Sequence, residues 1–425
     1  MNLESILIFE PKRVEDFYPF SVLHCLWELR CGALRLYEKI NFQFPHSKLI
    51  FYAKEKRLKS FLERFSIING EFEYEDLLAV DATVVPNKIF FDEIKKGYAE
   101  RKKASRGPAV FYLEGKPVAA YFPAEELQLV ESISPELLTD LTLDIFKKYQ
   151  RIDIARSTAL DYVWDCLDAT PAEINRDAEL LDIESIKEPA FYPGAHFVSQ
   201  GNIYVGSGVN ISPGCVIDAS AGAVIVESNV KIMPNTFIEG PCFIGSYSMI
   251  KAGAKIYGGT SIGEVCKIGG EVENSIIHAY SNKQHEGFLG HSYLCEWVNL
   301  GADTNTSDLK NNYANIMADL DGKDVSTGRL MLGAIIGDHT KTAINSMFNT
   351  GSTIGIFNMA ASPGFLPKFM PSFTWLTDRA KLYRVEYALQ TAKIVMSRRN
   401  RAMHPAEQAL IEAEYARVKA AGAFS

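Results

Sequence analysis

Cysteines in arrangements that carry chemistry are lacking in this chain of 425 residues. The seven cysteines are scattered and odd in number, and no two of them form a Cys-x-x-Cys pair. A disulfide framework and a structural zinc site are therefore not expected, and a reducing, cytoplasmic location fits this usage. Cys215, Cys242 and Cys266 lie within a repeat, where we expect small apolar core residues rather than nucleophiles.

Basic charge and long apolar runs are also lacking. The 44 Lys and Arg residues stand against 52 Asp and Glu residues, for a formal net charge of −8, so we expect no nucleic-acid or anionic-membrane partner. No run of about 18 apolar residues suggests a membrane-spanning helix. The start MNLESILIFEP has neither a basic region nor a long apolar stretch, so a secretory signal is not expected.

The first half of the chain alternates strand-like and helix-like patterns. Short apolar runs bounded by polar residues predict strands, and apolar residues at helical spacing predict helices. The strand-like runs are SILIF (5–9), KLIFYA (48–53) and the hairpin AVFYLEGKPVAAYF (109–122), and the helix-like stretches cover 22–40 and about 138–167. This alternation predicts an α/β domain over residues 1–185.

A six-residue repeat begins after residue 200. Every sixth position from Val226 is Val or Ile: Ile232, Ile238, Ile244, Ile250, Ile256, Ile262 and Ile268. Six residues make one short strand and one corner, and three such units make a coil of about 18 residues, so the repeat predicts a parallel β-helix over residues 186–375. The repeat pauses at about 271–288 and 305–328, and it resumes at Ile336 and Ile354. Residues 376–425 have a helical pattern and predict a C-terminal helical tail.

The interrupted part of the repeat, residues 278–316, holds three of the eight histidines together with many Asn, Tyr and Lys residues. Such a polar segment is costly to bury unless it forms a site or stays in solvent. Loops that leave a rigid scaffold commonly carry binding and catalytic residues. A functional site is therefore expected here, and a solvated loop is the alternative.

The segment HSYLCEWVNLGADT, followed by NNY, resembles the acetyltransferase half of the bifunctional glucosamine-1-phosphate acetyltransferase/N-acetylglucosamine-1-phosphate uridylyltransferase family. The whole chain is similar to a branch labelled sugar nucleotidyltransferase-like, which carries WELRCG, KIYGGTSIG, GGEVENSI and VMSRR. The resemblance implies a left-handed β-helix, a homotrimer, and His291 as the general base. It implies an acceptor pocket of Tyr293, Asn299, Asn312 and Tyr313, to which Lys283, Lys310 and Asn305 are added as polar neighbours.

The same resemblance implies acetyl-CoA or another acyl-CoA as the donor, although Ile344 stands where the family has a serine that contacts it. The first domain departs further, because no glycine-rich loop follows Phe9. Arg30 and Gly32 are then the candidates for nucleotide binding. We assign no metal ligands, and Mg²⁺ is expected only if this domain is active, with Asp81 as a lone candidate carboxylate.

Three functions follow from these patterns. The first is an acyltransferase, acting on an amino sugar phosphate or a nucleotide-linked amino sugar, with His291 as general base. The second is a Mg²⁺-dependent sugar-1-phosphate nucleotidyltransferase in which the β-helix serves assembly. The third is a non-catalytic protein that binds a sugar nucleotide. In each case the partner is a small sugar phosphate or nucleotide sugar.

Overall fold

The computed structural model of the chain describes residues 3–71, 73, 75–100, 107–129, 134–181, 183–186, 189–362, 364–422 and 424. The chain divides into two compact units. The first contains the residues up to Asp161 except 17–23 and 30–33, and the second contains those two segments together with residues 162–425. Across the described parts, no helix is both long and apolar enough to cross a membrane.

The first unit is built on a six-stranded mixed sheet with the order β2-β1-β3-β5-β4-β6. Strand β1 pairs in parallel with β2 and β3, and β4 pairs in parallel with β6, whereas β5 runs antiparallel to both of its neighbours. The strands are β1 (Ser5–Phe9), β2 (Lys48–Tyr52), β3 (Leu77–Asp81), β4 (Ala109–Leu113), β5 (Lys116–Phe122) and β6 (Gln150–Ile154). Both predicted strands and the predicted hairpin are confirmed.

Helices and turns connect these strands. The helices are α1 (Leu36–Gln43), α2 (Glu55–Phe65), α3 (Lys88–Ala99), α4 (Ala124–Leu129), α5 (Pro135–Leu138), α6 (Asp144–Lys147) and α7 (Asp165–Asp177), with 3₁₀ turns at Val14–Phe17, Phe20–Val22 and Leu26–Glu28. The predicted helices at 22–40 and 138–167 are wrong for most of their length. The first is broken into turns before α1, and the second contains β6, because tertiary packing overrides local apolar spacing.

The second unit is a parallel β-helix with three ladders of short strands. One ladder contains β7 (His196–Val198), β10 (Val216–Asp218), β13 (Phe237–Glu239), β16 (Lys255–Ile256), β19 (Glu271–Glu273) and β22 (Phe288–Gly290). A second contains β8 (Ile203–Val205), β11 (Val224–Val226), β14 (Cys242–Ile244), β17 (Thr260–Ile262), β20 (Ile276–Ile277), β23 (Tyr293–Leu294), β27 (Ala334–Ile336), β30 (Ser352–Ile354) and β32 (Phe369–Met370). The third contains β9 (Asn210–Ile211), β12 (Lys231–Ile232), β15 (Met249–Ile250), β18 (Lys267–Ile268) and β21 (Asn282–Lys283).

The predicted six-residue series forms the axis of this solenoid. Ile232 pairs with Ile250, which pairs with Ile268, so each residue stacks on its equivalent one coil later. All eight residues of the series from Val226 to Ile268 are fully buried, as are Cys215, Cys242 and Cys266. The repeat and its three-sided coil are confirmed, and stacked aliphatic side chains supply the dominant apolar burial of the unit.

The predicted first pause in the repeat is wrong, because the coils continue through β19, β20, β21 and β22. The second interruption is confirmed. After β24 (Asn305–Thr306) the chain leaves the coil, forms the hairpin of β25 (Met317–Leu320) and β26 (Lys323–Ser326), and returns at β27. Four strands extend the last coils: β28 (Lys341–Thr342), β29 (Met347–Phe348), β31 (Met359–Ala360) and β33 (Thr374–Leu376), which pairs with β34 (Ala380–Leu382).

Helices flank the solenoid. Helix α7 lies within the predicted first domain but packs on β14 and β17, and Asn175 Oδ1 accepts a hydrogen bond from Ala223 N at 2.8 Å. The tail forms α8 (Val385–Ser397) and α9 (Pro405–Ala420), which share an apolar cluster with residues of the last coils. The predicted fold class is confirmed: an α/β domain, a parallel β-helix and C-terminal helices.

Candidate active site

His291 stands at a corner of the β-helix directly after β22. Its backbone is left-handed, with φ of 44°, its N–H donates to Glu273 O at 3.1 Å, and its carbonyl accepts from Gly333 N at 2.9 Å. Its Nδ1 lies 2.8 Å from Asp308 Oδ2, and the two side chains are only 15% and 16% exposed. The backbone thus fixes the ring at the corner, and the carboxylate fixes its orientation.

Asp308 reaches the histidine because β24 lies beside β22. Asn305 Oδ1 accepts from Phe288 N at 2.8 Å, and Thr306 Oγ1 accepts from Gly290 N at 3.2 Å. A Cβ atom at Gly290 would lie 2.3 Å from Asp308 Oδ2, so the absence of a side chain at this position lets the carboxylate approach. Asp308 was not among the predicted site residues, and only its position between Asn305 and Lys310 pointed to it.

Three predicted acceptor residues lie on the loop directly after Asp308. Lys310 Nζ donates to Asn315 O at 2.8 Å, and Asn312 Oδ1 accepts from Ala314 N at 3.1 Å. Tyr313 is 68% exposed and has a left-handed backbone, with φ of 54°. The structure therefore brings His291, Asn305 and Asp308 together and places this loop next to them in the chain.

The remaining predicted acceptor residues lie elsewhere on the solenoid. Tyr293 is fully buried, its hydroxyl accepts from Arg30 N at 3.2 Å, and its ring meets Phe20 edge-on at 5.9 Å between centroids. Burial raises the pKa of Tyr293 far above its ordinary value. Asn299 lies on the third ladder, where its Oδ1 accepts from Asn282 Nδ2 at 3.2 Å.

Lys283 occupies an axial position of the solenoid, since it pairs with the inward Ile268. Its Nζ donates to Gly269 O at 3.0 Å and to His285 O at 2.8 Å, and the residue is 2% exposed. Burial lowers the pKa of this ammonium to about 8, against the opposing charges of Glu286 and Asp303. Two backbone carbonyls therefore accept hydrogen bonds from its ammonium group inside the core.

Arg30 and Gly32, the predicted nucleotide-binding residues, are buried in the second unit. Arg30 Nη2 lies 2.8 Å from Glu264 Oε2, and the guanidinium stands 5.4 Å from the centre of the Phe243 ring. Gly32 has φ of 89°, donates its N–H to Thr170 Oγ1 at 3.1 Å, and accepts from Ser261 Oγ at 2.6 Å. Both residues are thus engaged in hydrogen bonds of the solenoid unit.

A cavity of about 290 Å³ lies in the first unit where the parallel strands β1 and β3 end. Basic residues line it: Lys12 lies 2.5 Å from Asp140, while Arg13 and Lys116 both pair with Asp161. The carboxyl ends of parallel strands are the usual place for ligands in such sheets. Our sequence reasoning missed these cations, although the Lys12-Arg13 pair directly after β1 was a usable signal.

Asp81 ends β3 and reaches the same cavity. Its Oδ1 accepts from both the N–H and the hydroxyl of Thr83 at 2.8 Å, and burial raises its pKa to about 6. Among the residues that the structure describes, no three His, Cys, Asp or Glu side chains gather as metal ligands. One carboxylate fits a Mg²⁺ ion that is held mainly through substrate phosphates, which is a common mode for this ion.

Comparison with known proteins indicates which families this chain resembles. The model of the sugar nucleotidyl transferase family matches residues 6–185. The chain is 37% identical over 138 residues to a bifunctional sugar-1-phosphate nucleotidylyltransferase/acetyltransferase of Sulfurisphaera tokodaii, covering 32% of this chain and 34% of that protein. It is 28% identical over 240 residues to a bifunctional protein GlmU of Azoarcus sp., covering 51% of this chain and 48% of that protein.

A bifunctional protein GlmU of Rippkaea orientalis is 32% identical over 179 residues, which are 41% of this chain and 34% of that protein. The chain thus spans about a third to a half of the length of the curated relatives it matches. These matches confirm the predicted resemblance on both sides, the nucleotidyltransferase and the acetyltransferase. Residues 6–185 therefore resemble the sugar nucleotidyl transferase family, and they precede a β-helix in a chain that is similar to the bifunctional nucleotidylyltransferase/acetyltransferases.

Proposed function

We propose that this protein is an acyltransferase whose general base is His291. The observation that carries the proposal is the contact of His291 Nδ1 with Asp308 Oδ2 at 2.8 Å, in a site that is shielded but still open to solvent. A carboxylate on one ring nitrogen fixes the tautomer and stabilises the cation that forms when the other nitrogen takes a proton. Among the described residues, no hydrogen-bond partner stands on Nε2 of His291, which is the atom that would accept the proton.

The reaction would join an acyl group to an amine. The nitrogen of the neutral amine attacks the carbonyl carbon of the thioester while His291 Nε2 removes a proton from that nitrogen. The carbon–sulfur bond then breaks. The leaving thiolate then takes up a proton, which the imidazolium of His291 can supply. Acyl-CoA would supply the acyl group. The solenoid that would receive it continues past Ile344 to Leu376, and Ile344 is 68% exposed.

The acceptor would be an amino sugar phosphate or a nucleotide-linked amino sugar. The similarity to the Sulfurisphaera tokodaii bifunctional sugar-1-phosphate nucleotidylyltransferase/acetyltransferase supports this class. The acceptor would be oriented by Lys310, Asn312 and Tyr313, and Asn305 would support these residues. Tyr293 and Lys283, which are buried, would support the scaffold of the site. We also propose a cytoplasmic homotrimer in which neighbouring copies complete the site.

A kinetic comparison tests this function. The wild-type protein is incubated with acetyl-CoA and a panel of amino sugar phosphates, and His291→Asn should lower turnover roughly 10²–10⁴-fold without changing the melting temperature. His285→Asn is the matched control, since His285 is exposed and lies outside the pair. Wild-type turnover in His291→Asn would refute the assignment, as would the absence of transfer from acetyl-CoA to any amine of the panel.

Nucleotidyl transfer in the first unit is the second candidate, favoured by the cavity at the carboxyl ends of β1 and β3, whose lining includes both basic and acidic side chains. Lys12 and Arg13 would bind the phosphates, and Asp81 would hold a Mg²⁺ ion that neutralises them. The test is release of pyrophosphate from nucleoside triphosphates and sugar 1-phosphates. Arg13→Gln should abolish it, while the exposed Arg151→Gln should not. Binding of a nucleotide sugar without either reaction would instead support the third function, a non-catalytic protein that binds a sugar nucleotide.

A further inference from the structure

A second cavity, of about 280 Å³, lies on the third ladder of the β-helix. Four outward positions of successive coils form its floor: Lys267, Asn282, Asn299 and Lys341, which the ladder aligns through parallel bridges. The end of α8 lies over them with Val395, Arg398 and Arg399. One face of the solenoid and one helix end therefore form the walls of a pocket within the second unit that is partly open to solvent.

The lining of this cavity is strongly and uniformly cationic. Lys267, Lys341, Arg398 and Arg399 all contribute to it, and no carboxylate is found among its lining residues within the described chain. Four like charges around one small cavity repel one another, so the arrangement costs folding free energy unless an anion neutralises it. Such a cluster in an acidic protein of net charge −8 is therefore best explained by a ligand.

The hydrogen bonds of the pocket direct further donors into it. Arg399 Nη2 donates to Asn282 Oδ1 at 3.2 Å, and Asn282 Nδ2 donates to Asn299 Oδ1 at 3.2 Å. Both amide oxygens are thereby used within the protein, and the Asn299 amide nitrogen is left as a donor. Burial lowers the pKa of Lys341 to about 8, and its Nζ also donates to His339 O at 3.0 Å.

From this geometry we infer that the cavity binds a phosphorylated small molecule through its phosphate groups. Guanidinium and ammonium groups together with amide donors match phosphate oxygens, which accept only. Trp297 offers no face to a stacked base, because its ring lies between Tyr280 at 4.3 Å and His339 at 6.0 Å. The ligand is thus read by its charge, as a pyrophosphate or a sugar phosphate monoester would be.

This inference goes beyond the proposed acyl transfer, because the cavity shares neither His291 nor Asp308; of the acceptor residues that the resemblance implies, it contains Asn299 alone, and the four cations that carry the inference are not among them. Calorimetric titration tests it, with pyrophosphate, glucose 1-phosphate and inorganic phosphate as separate probes on the full chain. The variant Arg398→Gln/Arg399→Gln removes two positive charges from the pocket. Arg384→Gln/Lys393→Gln is the matched control, since it removes two positive charges from the same helix at exposed positions outside the pocket.

We expect saturable binding of at least one phosphate probe, weakened tenfold or more in the pocket variant and less than twofold in the control. Tighter binding of pyrophosphate than of glucose 1-phosphate would identify a diphosphate ligand, and the reverse would identify a sugar phosphate. The His291→Asn variant should bind the probe like the wild type, so loss of acyl transfer and loss of this site are separable. No binding of any probe at 10 mM, or equal loss in both double variants, would overturn the inference.

Discussion

Replacing Lys283 with methionine should remove a rise in stability that the wild-type protein shows at alkaline pH. The residue is 2% exposed on the solenoid axis, and burial lowers the pKa of its ammonium from 10.5 to about 8. Because the folded pKa lies below the unfolded one, the unfolded chain binds the extra proton between about pH 8 and 10.5. Stability therefore rises with pH in that window and is flat below it.

The magnitude follows from the shift. At about 1.4 kcal/mol for each pKa unit, burial of the charged ammonium lowers the free energy of unfolding by about 3 kcal/mol. About 2 kcal/mol of this stability is regained between pH 7 and pH 9.5, as the folded protein loses the proton. At pH 7 itself the substitution should change stability little, because the methionine leaves the carbonyls of Gly269 and His285 without this donor. Unpaired buried carbonyls cost about 1–3 kcal/mol each, which offsets the removal of the charge.

The assay is urea-induced unfolding at pH 7 and pH 9.5, followed by far-ultraviolet circular dichroism. The wild-type protein should gain about 2 kcal/mol more than Lys283→Met over this interval. Lys231→Met is the control, since Lys231 is an exposed, outward residue on the same ladder. Equal gains in Lys283→Met and in the wild type would refute the axial placement of the ammonium and would return Lys283 to the acceptor pocket.

Three further outcomes test the fold and its assembly. Ile256→Asp should lower stability by several kcal/mol in thermal unfolding, because a charge enters the dry axis, whereas Lys255→Ser on the exposed side should not. Although burial raises the pKa of Glu28, Arg64 at 2.6 Å and His24 outweigh that effect and lower the pKa to about 2. Between pH 4.5 and pH 2 the wild type should therefore lose about 3 kcal/mol more stability than Glu28→Gln. Sedimentation at micromolar concentration should give a trimer, and a stable monomer would count against sites shared between copies.

The sequence predicted the solenoid because each coil repeats the same local physics. Every sixth residue must be aliphatic to fill one narrow axis, so the period is visible without any knowledge of distant contacts. The polar segment that holds His291 was found for the same reason, since it interrupts an apolar repeat, whereas the choice of His291 within it came from the resemblance to known acetyltransferases. The predicted pause at 271–288 failed because the axial residues Val272 and Ile277 follow Ile268 at shorter intervals than six, which places them off the searched period. Lys283 then fills the next axial position by donating to backbone carbonyls, which a search for aliphatic residues cannot detect.

The parts that depend on distant residues were not predictable in this way. Asp308 acquires its role through β24, which lies beside β22 only because the coil closes. The segment at 22–40 has helical spacing, yet it divides into turns because Arg30 and Gly32 are engaged by Glu264, Thr170 and Ser261. The two cavities, one in each unit, likewise gather basic residues that lie far apart in the chain. Single basic residues in a sequence do not reveal such clusters.

The excursion between β24 and β27 has a consequence for how this protein can diverge. Tyr293 pairs with Ile335 in the same register in which Ile276 pairs with Tyr293, so the ladder closes as if the intervening hairpin were absent. The bridge between Leu309 and Met331 seals the base of the excursion. Changes in length at the exposed turn of the hairpin can therefore accumulate without breaking the ladder, whereas the fully buried Ile316 and Ala318 tie the rest of the excursion to the scaffold.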